Sequence, residues 1–236
     1  MPLCALGRLA AVTEPDATVT NYVYDILDNL TGVVTPGQTS ASCPTVTIGT
    51  TTINPTRCFS YTTTSRLKSA TNPESGTVTY AYDNNGNVTS RIDARNNTTS
   101  YSPYDALNRL KGKSYTVSGQ TAATAPVCYT FDSDFKGAFS SVGTIAASST
   151  CATPTFTTKS SYTHDAFGRI STSSQSVASP AVTANFGYQY SLIDQLTQIT
   201  YPSGRKVSYV PDSADRIQTV KNVATGDGKL LSPSRR

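Results

Sequence analysis

The sequence lacks several features that would point to common protein classes. It has no tryptophan, one methionine and one histidine, and only 14% of its 236 residues are charged while 37% are hydrophobic. This composition, rich in serine and threonine, favours an all-β protein with many turns over a helical one. No apolar run approaches the eighteen or so residues that cross a bilayer, so we expect no transmembrane segment. Residues 1–12 are too short and too weakly patterned for a signal peptide.

A concentrated positive charge is also missing. The net charge is +4, but the lysines and arginines are scattered along the chain apart from the pair Arg235-Arg236. Proteins that bind nucleic acids present a basic stripe or patch, so we expect no nucleic-acid partner.

What the sequence does contain is a short repeated unit, here called the cassette, which is clearest between Tyr80 and Leu110. Tyr80, Tyr82 and Asp83 are followed by Gly86, and the order returns 22 residues later at Tyr104 and Asp105. Alternating tyrosines suit a half-buried strand, because side chains alternate between the two faces. Aspartate followed by glycine or asparagine provides turn chemistry. Each cassette therefore predicts a β-hairpin.

The cassette recurs along the whole chain at a basic spacing of about 21 residues. Eleven of the fourteen tyrosines occupy one of its two aromatic positions, the exceptions being Tyr101, Tyr115 and Tyr201. The position of the turn aspartate is filled in order by Cys4, Asp25, Thr62, Asp83, Asp105, Asp132, Asp165, Ser191 and Asp212. The copy at Asp132 has a turn two residues longer than the others.

Second turns between the cassettes, such as Pro202-Ser203-Gly204, make the chain a meander of short antiparallel strands. We expect an array of about eight to nine hairpins over residues 1–220 that starts in mid-repeat and carries an insertion around residues 38–58. Residues 221–236 form a polar tail, interpreted as a truncated repeat.

At these residues the sequence resembles a known family. Tyr-x-Tyr-Asp-x-x-Gly-Asn and Tyr-Asp-Ala-Leu-Asn-Arg-Leu are similar to the tyrosine-aspartate (YD) repeats of RHS-repeat proteins, including toxin-complex shell subunits and teneurin-like shells. The resemblance runs from about Leu6 to Val220. The signature residues are Tyr22, Tyr24, Asp25, Tyr61, Tyr80, Tyr82, Asp83, Gly86, Tyr104, Asp105, Arg109, Asp132, Tyr162, Asp165, Gly168, Tyr188, Tyr190 and Asp212.

The resemblance implies an all-β fold in which repeated antiparallel hairpins form a spiralling strip, part of a hollow shell or cocoon. It implies a structural segment without catalytic activity or cofactor. Its partners would be the remainder of a larger RHS shell and an enclosed C-terminal toxin or effector that this sequence does not contain. The family's self-cleaving aspartic-protease region is not found here. A secreted or cell-surface location follows from the same resemblance.

Catalytic and metal sites are weaker interpretations of the same residues. His164 beside Asp165, with serines nearby, could form a nucleophile triad, but His164 occupies an aromatic position of a cassette and is better explained as a sheet residue. The segment beginning at Asp83 resembles the start of a calcium loop, yet its glycine is two residues early and Ala94 stands in place of the bidentate glutamate. We therefore expect no catalytic residue and no metal site.

Two alternatives for the repeated side chains remain. The aspartates could form a carboxylate ladder that binds cations, although replacement by Cys4, Thr62 and Ser191 favours a role in capping turns. Exposed tyrosine rows could stack on sugars, which would make the chain an adhesion module that binds cell-surface glycans. Burial of the rings between hairpins explains the same spacing without a ligand.

The five cysteines suggest two disulfides, although free thiols explain them equally well. Cys43 and Cys58 bracket the insertion, and Cys128 and Cys151 bracket the stretch with the long turn. Bonds between these pairs would imply an oxidising compartment, with Cys4 left over.

Overall fold

A computed structural model describes residues 7–37, 43–48, 50–119, 124–146 and 149–223. Across these ranges the chain contains β-strands and turns and no helix, which confirms the all-β antiparallel fold. The described residues accordingly include no helix long and apolar enough to cross a membrane. Cys4, the first part of the predicted insertion and most of the predicted polar tail lie outside the described residues.

The described residues form nineteen strands, of which seventeen belong to antiparallel sheet and β4 and β5 form a separate hairpin. The strands are β1 (Ala11–Thr13), β2 (Val19–Tyr24), β3 (Leu30–Val34), β4 (Val46–Ile48), β5 (Thr51–Ile53), β6 (Arg57–Tyr61), β7 (Leu67–Asn72), β8 (Gly76–Tyr82), β9 (Val88–Ile92), β10 (Thr98–Tyr101), β11 (Gly112–Thr116), β12 (Val127–Phe131), β13 (Phe139–Ile145), β14 (Phe156–His164), β15 (Ile170–Val177), β16 (Val182–Tyr190), β17 (Leu196–Thr200), β18 (Lys206–Pro211) and β19 (Ile217–Val223).

The chain divides into two compact units. Unit 1 comprises residues 1–102 and 114–124, and unit 2 comprises residues 103–113 and 125–236. The prediction of one array over residues 1–220 remains a prediction.

Unit 1 is a meander in which each strand pairs with the next one along the chain, except where the insertion intervenes. There β3 pairs directly with β6, with Gly32 opposite Cys58. A disulfide between Cys43 and Cys58 ties the insertion to β6. The excursion through β4 and β5 therefore leaves the order of the surrounding hairpins unchanged.

Unit 2 continues the same pattern without a comparable interruption. Gly112 and Lys113 of β11 pair with β12, and every strand from β12 to β18 pairs with its successor. A second disulfide joins Cys128 on β12 to Cys151 in the loop before β14. Cys128 is fully buried, and Cys151 is half-buried.

Burial is spread thinly, as expected of a meander whose strands face solvent along much of their length. In unit 1 the buried side chains include Val34, Thr56 and Val78, and in unit 2 they include Cys128 and Ile145. Most other strand residues are half-buried. Contacts between neighbouring hairpins must therefore supply much of the stability, as in other repeat proteins.

Candidate functional site

The candidate site is the turn that closes each cassette, together with its contacts to the neighbouring cassettes. Seven short turns that close a cassette share one backbone geometry, and they begin at Asp25, Thr62, Asp83, Asp105, Asp165, Ser191 and Asp212. In each, the first residue's N–H donates to the carbonyl of the fifth residue, and the fourth residue's N–H donates to the carbonyl of the first. This is a type I turn closed by a residue in the left-handed conformation.

The fourth residue of the turn decides which side chains the cassette tolerates. Its φ is positive in all seven turns, for example 94° at Gly86, 59° at Asn108 and 65° at Asp28. Glycine, asparagine and aspartate adopt this conformation more readily than other residues. The spacing of Gly and Asn after the aspartate therefore has a direct backbone cause.

The side chain of the first residue caps the turn. The Asp83 carboxylate accepts hydrogen bonds from the backbone N–H of Asn87 at 2.8 Å and from its side-chain amide at 2.9 Å. The hydroxyls of Thr62 and Ser191 accept the equivalent backbone hydrogen bond, from Arg66 at 3.1 Å and Gln195 at 3.2 Å. A single oxygen acceptor is thus sufficient, which explains how threonine and serine replace aspartate.

These hydrogen bonds also hold the carboxylates in their charged form. The side-chain amide of Asn87 lowers the pKa of Asp83, with further hydrogen bonds from backbone N–H groups. At Asp132, in the longer turn, hydrogen bonds from the Arg109 guanidinium and the backbone of Gly137 lower the pKa to about 2. The carboxylate oxygens of these turns are therefore engaged by the chain itself, and the described residues contain no cluster of three or more potential metal ligands.

In three cassettes a tyrosine at the second aromatic position, directly before the turn, connects the hairpin to the preceding one. The hydroxyl of Tyr61 donates to the carbonyl of Leu30 at 2.9 Å, and that of Tyr82 donates to Leu67 at 2.7 Å. In unit 2 Tyr190 donates to Ile170 at 3.0 Å. In each case the acceptor is the first strand residue after the previous turn. The tyrosine side chain therefore holds two neighbouring hairpins of the sheet together.

The fifth residue of the turn makes the opposite connection, to the following cassette. Arg169 donates to the carbonyl of Ser191 at 2.9 Å and pairs with Asp194 at 2.7 Å. Its guanidinium carbon also lies 4.8 Å from the ring centre of Tyr190. Arg109 makes the same kind of contact with the carboxylate of Asp132 and the ring of Phe131. Sequence reasoning missed this forward contact, although arginine recurs at this position.

His164 takes the second aromatic position of its cassette, but its partner is an acid that the sequence did not indicate. Its Nδ1 lies 3.1 Å from Oδ1 of Asp134, and its backbone N–H donates to the same carboxylate. Asp134 lies in the long turn of the preceding hairpin. His164 thus joins neighbouring hairpins through a different pair of atoms than the tyrosines use.

The signature tyrosines are half-buried rather than displayed on an open surface. This holds for Tyr22, Tyr24, Tyr61, Tyr80, Tyr82, Tyr104, Tyr162, Tyr188 and Tyr190. An open hollow of about 640 Å³ does lie on unit 2, over strands β12 to β16. Valines and small polar side chains form much of its lining, and Lys159 is its one titratable residue. This lining offers no acid–base pair for catalysis.

Comparison with known proteins identifies these hairpins. The family model for the RHS repeat matches residues 5–40 and 61–98, which include the turns at Asp25, Thr62 and Asp83. These two segments are RHS repeats. No curated protein matches it by sequence.

Solved structures share the fold of the chain at low sequence identity. The crystal structure of TcdB2-TccC3-Cdc42 superposes with a TM-score of 0.65 and 12% identity over 92% of the chain. That of TcdB2-TccC3 superposes with a TM-score of 0.64 and 11% identity, also over 92% of the chain. The chain spans only 11% of the length of each of these. At such identities the similarity establishes the fold.

Proposed function

We propose that the chain is a non-catalytic segment of the wall of an RHS shell, which encloses or displays a C-terminal toxin or effector encoded outside this sequence. The proposal rests on the contacts that the side chains in and next to the turns make with their own and with neighbouring hairpins. Tyr82 bonds to the preceding hairpin, Asp83 caps its own turn, and Arg169 bonds to the following hairpin. The polar groups of the repeat are thereby used in building a continuous wall.

A structural role without catalysis is supported by the surroundings of the titratable groups. The lowered pKa values of the turn aspartates result from hydrogen bonds within and between turns. Enzymes instead shift the pKa values of acids and bases that face a substrate cleft. The sole histidine has only a 7% exposed side chain and contacts Asp134.

A secreted or cell-surface location is part of this proposal. The Cys43–Cys58 and Cys128–Cys151 bonds suit an oxidising environment, because cytosolic thiols are normally kept reduced. The proposed partners are the remaining hairpins of the larger shell and its enclosed polypeptide.

The encapsulation proposal is tested on the polypeptide encoded at the native locus, with an epitope tag at its C-terminus. An antibody against residues 80–110 should detect a product well above the 25.0 kDa of this sequence. The tag should resist proteinase K in the native protein and be digested after denaturation. A product of 25 kDa, or a tag that is digested equally fast in both states, would contradict enclosure.

Glycan binding, the alternative for the tyrosine rows, receives less support. The hydroxyls of Tyr61, Tyr82 and Tyr190 bond to backbone carbonyls, and partial burial raises the pKa of Tyr61 and Tyr190. We therefore expect no signal on a glycan array. A signal lost on replacing Tyr188 by alanine would instead favour the adhesion module.

A further inference from the structure

The two disulfides are anchored at the same position of the cassette. Cys58 and Cys128 each lie on the first strand of a hairpin, three residues before the second aromatic position. Each is opposite a glycine of the preceding strand, Gly32 for Cys58 and Gly112 for Cys128. Because glycine has no side chain, the sheet leaves room beside both cysteines for a segment that comes from outside the cassette. The two bonds can therefore be compared directly.

The partner cysteines of these anchors differ in exposure. Cys43 is 5% exposed and Cys58 is 8% exposed, so both ends of the first bond are buried. Cys128 is fully buried, but Cys151 is half-buried. Thiol–disulfide exchange begins when a thiolate attacks one of the two sulfurs, and its rate depends on access to that sulfur. Among the four bonded cysteines, Cys151 is the one that a thiol in solution can reach most readily.

The packing around the first bond explains its protection. A Cβ at Gly32 would lie 3.2 Å from Cγ of Pro55, so Pro55 packs over the glycine opposite Cys58. Pro55 and Thr56 are among the most completely buried large side chains of the described residues. The backbone N–H of Thr56 also donates to the carbonyl of Val33 at 2.8 Å. The end of the insertion thus covers the first bond and is held in place by its own contacts.

The loop between β13 and β14, which carries Cys151, is attached differently. The structure describes its residues 146 and 149–155, and their hydrogen bonds stay inside the loop. The N–H of Ala146 donates to the carbonyl of Thr155 at 2.9 Å, and the N–H of Ser149 donates to the carbonyl of Ala146 at 2.9 Å. In this described part of the loop, no hydrogen bond to β12 duplicates the Cys128–Cys151 bond. That bond is therefore the tether that holds the loop on β12.

We propose that Cys151 is a site of thiol–disulfide exchange with small thiols such as glutathione, and that exchange there releases the β13–β14 loop while the hairpins stay paired. A small thiolate attacks Sγ of Cys151. The bond to Cys128 breaks, and the Cys128 sulfur leaves with the electron pair and takes up a proton. A second small thiolate then attacks the mixed disulfide, which frees the Cys151 thiol and forms the disulfide of the two small thiols. The small thiols are oxidised by two electrons, and the protein disulfide is reduced to two thiols.

Strand pairing does not depend on this bond. Cys128 pairs through its backbone with Gly112 on one side and Gly143 on the other. β13 pairs with β14 from Ser141 to Ile145, next to the loop. A chain that passes from an oxidising to a reducing environment should thus lose this tether first and keep its sheet. The inference goes beyond the shell proposal, because it concerns one covalent bond and requires no enclosed cargo.

The order of reduction is tested on the full chain with both disulfides intact. Cys4, which belongs to neither bond, is first blocked with iodoacetamide. Reduced glutathione is then added, and samples taken over time are treated with N-ethylmaleimide and analysed by peptide mass spectrometry. We expect loss of the Cys128–Cys151 bond while the Cys43–Cys58 bond is still intact. The transient glutathione adduct should be found on Cys151 and not on Cys128.

Hydrogen exchange tests the release of the loop. After reduction, the amides of residues 149–155 should exchange faster, whereas those of β12 and β13 should stay protected. Cys151→Ser should give the loop the same exchange as in the reduced wild type. The matched control removes the other bond: Cys43→Ser combined with Cys58→Ser should leave exchange in the β13–β14 loop unchanged.

Several outcomes would overturn the proposal. Equal rates of loss of the two disulfides, or a first glutathione adduct on Cys128, Cys43 or Cys58, would remove the special role of Cys151. Unchanged exchange of residues 149–155 after reduction would show that the bond does not tether the loop. Simultaneous loss of protection in β12 and β13 would show that it holds the sheet itself. Failure of encapsulation would leave all these results unaffected, so the two proposals are separable.

Discussion

The hydroxyl of Tyr82 donates a 2.7 Å hydrogen bond to the backbone carbonyl of Leu67 and so fastens one hairpin to the hairpin before it. Both residues are half-buried, which strengthens the bond relative to one in water. Equivalent bonds at Tyr61 and Tyr190 make this the recurring link of the sheet.

Removing that hydroxyl should therefore weaken the fold. Tyr82→Phe leaves the carbonyl of Leu67 without its donor, and we expect a loss of about 1 kcal/mol in the free energy of unfolding. Urea denaturation measures the change. Tyr80→Phe serves as the control, because it removes a hydroxyl from the same strand without touching this bond. Equal effects of the two substitutions would show that the Tyr82 link contributes nothing specific.

The capping role of Asp83 predicts a graded response to substitution. Asp83→Ala removes the acceptor for the Asn87 backbone N–H and should lower the thermal unfolding midpoint. Asp83→Thr should restore part of the loss, because Thr62 caps an equivalent turn through its hydroxyl. If threonine were no better than alanine at position 83, the oxygen acceptor would not be the reason for the repeated aspartate.

The turn carboxylates predict that stability falls in acid. Asp132 has its pKa lowered from 3.8 to about 2, chiefly by the Arg109 side chain. A carboxyl whose folded pKa is depressed stabilises the fold above its unfolded pKa and loses that contribution as pH falls through the folded value. Urea midpoints should therefore decline between about pH 4 and pH 2.

Replacement of Asp132 isolates its share of this acid sensitivity. Asp132→Asn should be less stable than the wild type at pH 7, and the difference should shrink as the pH falls from about 4 towards 2, where the Asp132 carboxyl is about half protonated. Glu14→Gln, in a turn outside the cassettes, is the comparison. A difference between wild type and Asp132→Asn that stays constant over the whole range would refute the assignment.

The disulfide between Cys43 and Cys58 should stabilise the fold, but the strands of the sheet should still pair without it. It closes a loop with a sequence separation of 15, so replacing both cysteines by serine should cost about 3 kcal/mol. Circular dichroism should still report β-structure, because β3 pairs directly with β6. Cys4→Ser is the control. An unchanged urea midpoint in the double variant would show that the bond does not constrain the chain.

Two glycines in strands should respond differently to the same substitution. A Cβ at Gly143 would lie 2.2 Å from the backbone oxygen of Thr158, a clash that only backbone movement can relieve. A Cβ at Gly187 would meet Thr200 at an ordinary 3.5 Å. Gly143→Ala should therefore cost at least about 2 kcal/mol, and Gly187→Ala should be nearly neutral by thermal denaturation. Similar losses at both sites would contradict the close packing of β13 on β14.

The all-β fold could be predicted because the residues of each cassette favour a strand and a turn by themselves. Tyr80 and Tyr82 alternate as strand residues do, and Gly86 permits the positive φ that the turn needs. The turn at Asp93 has the same backbone geometry without a preceding tyrosine pair, so its similarity to the cassette turns was not apparent. The residues that form a turn could thus be predicted from the sequence, but not every place along the chain where such a turn occurs.

Contacts between hairpins were harder to predict, since they depend on which turns become neighbours. Asp134 and His164 are 30 residues apart, and only the pairing of β13 with β14 brings them together. The forward contact from Arg109 to Asp132 spans 23 residues and a turn of unusual length. Arginine at the fifth turn position was a usable signal, but its partner could be named only once the order of strands was known.

The two kinds of contact between hairpins point in opposite directions along the chain. Tyr82 reaches back to Leu67, whereas Arg169 reaches ahead to Asp194. A hairpin leaving the ribosome therefore meets an acceptor that has already been made, and it presents an arginine to a turn that has yet to be synthesised. Each hairpin thus carries one contact that can form as soon as it is synthesised and one that must wait for its successor.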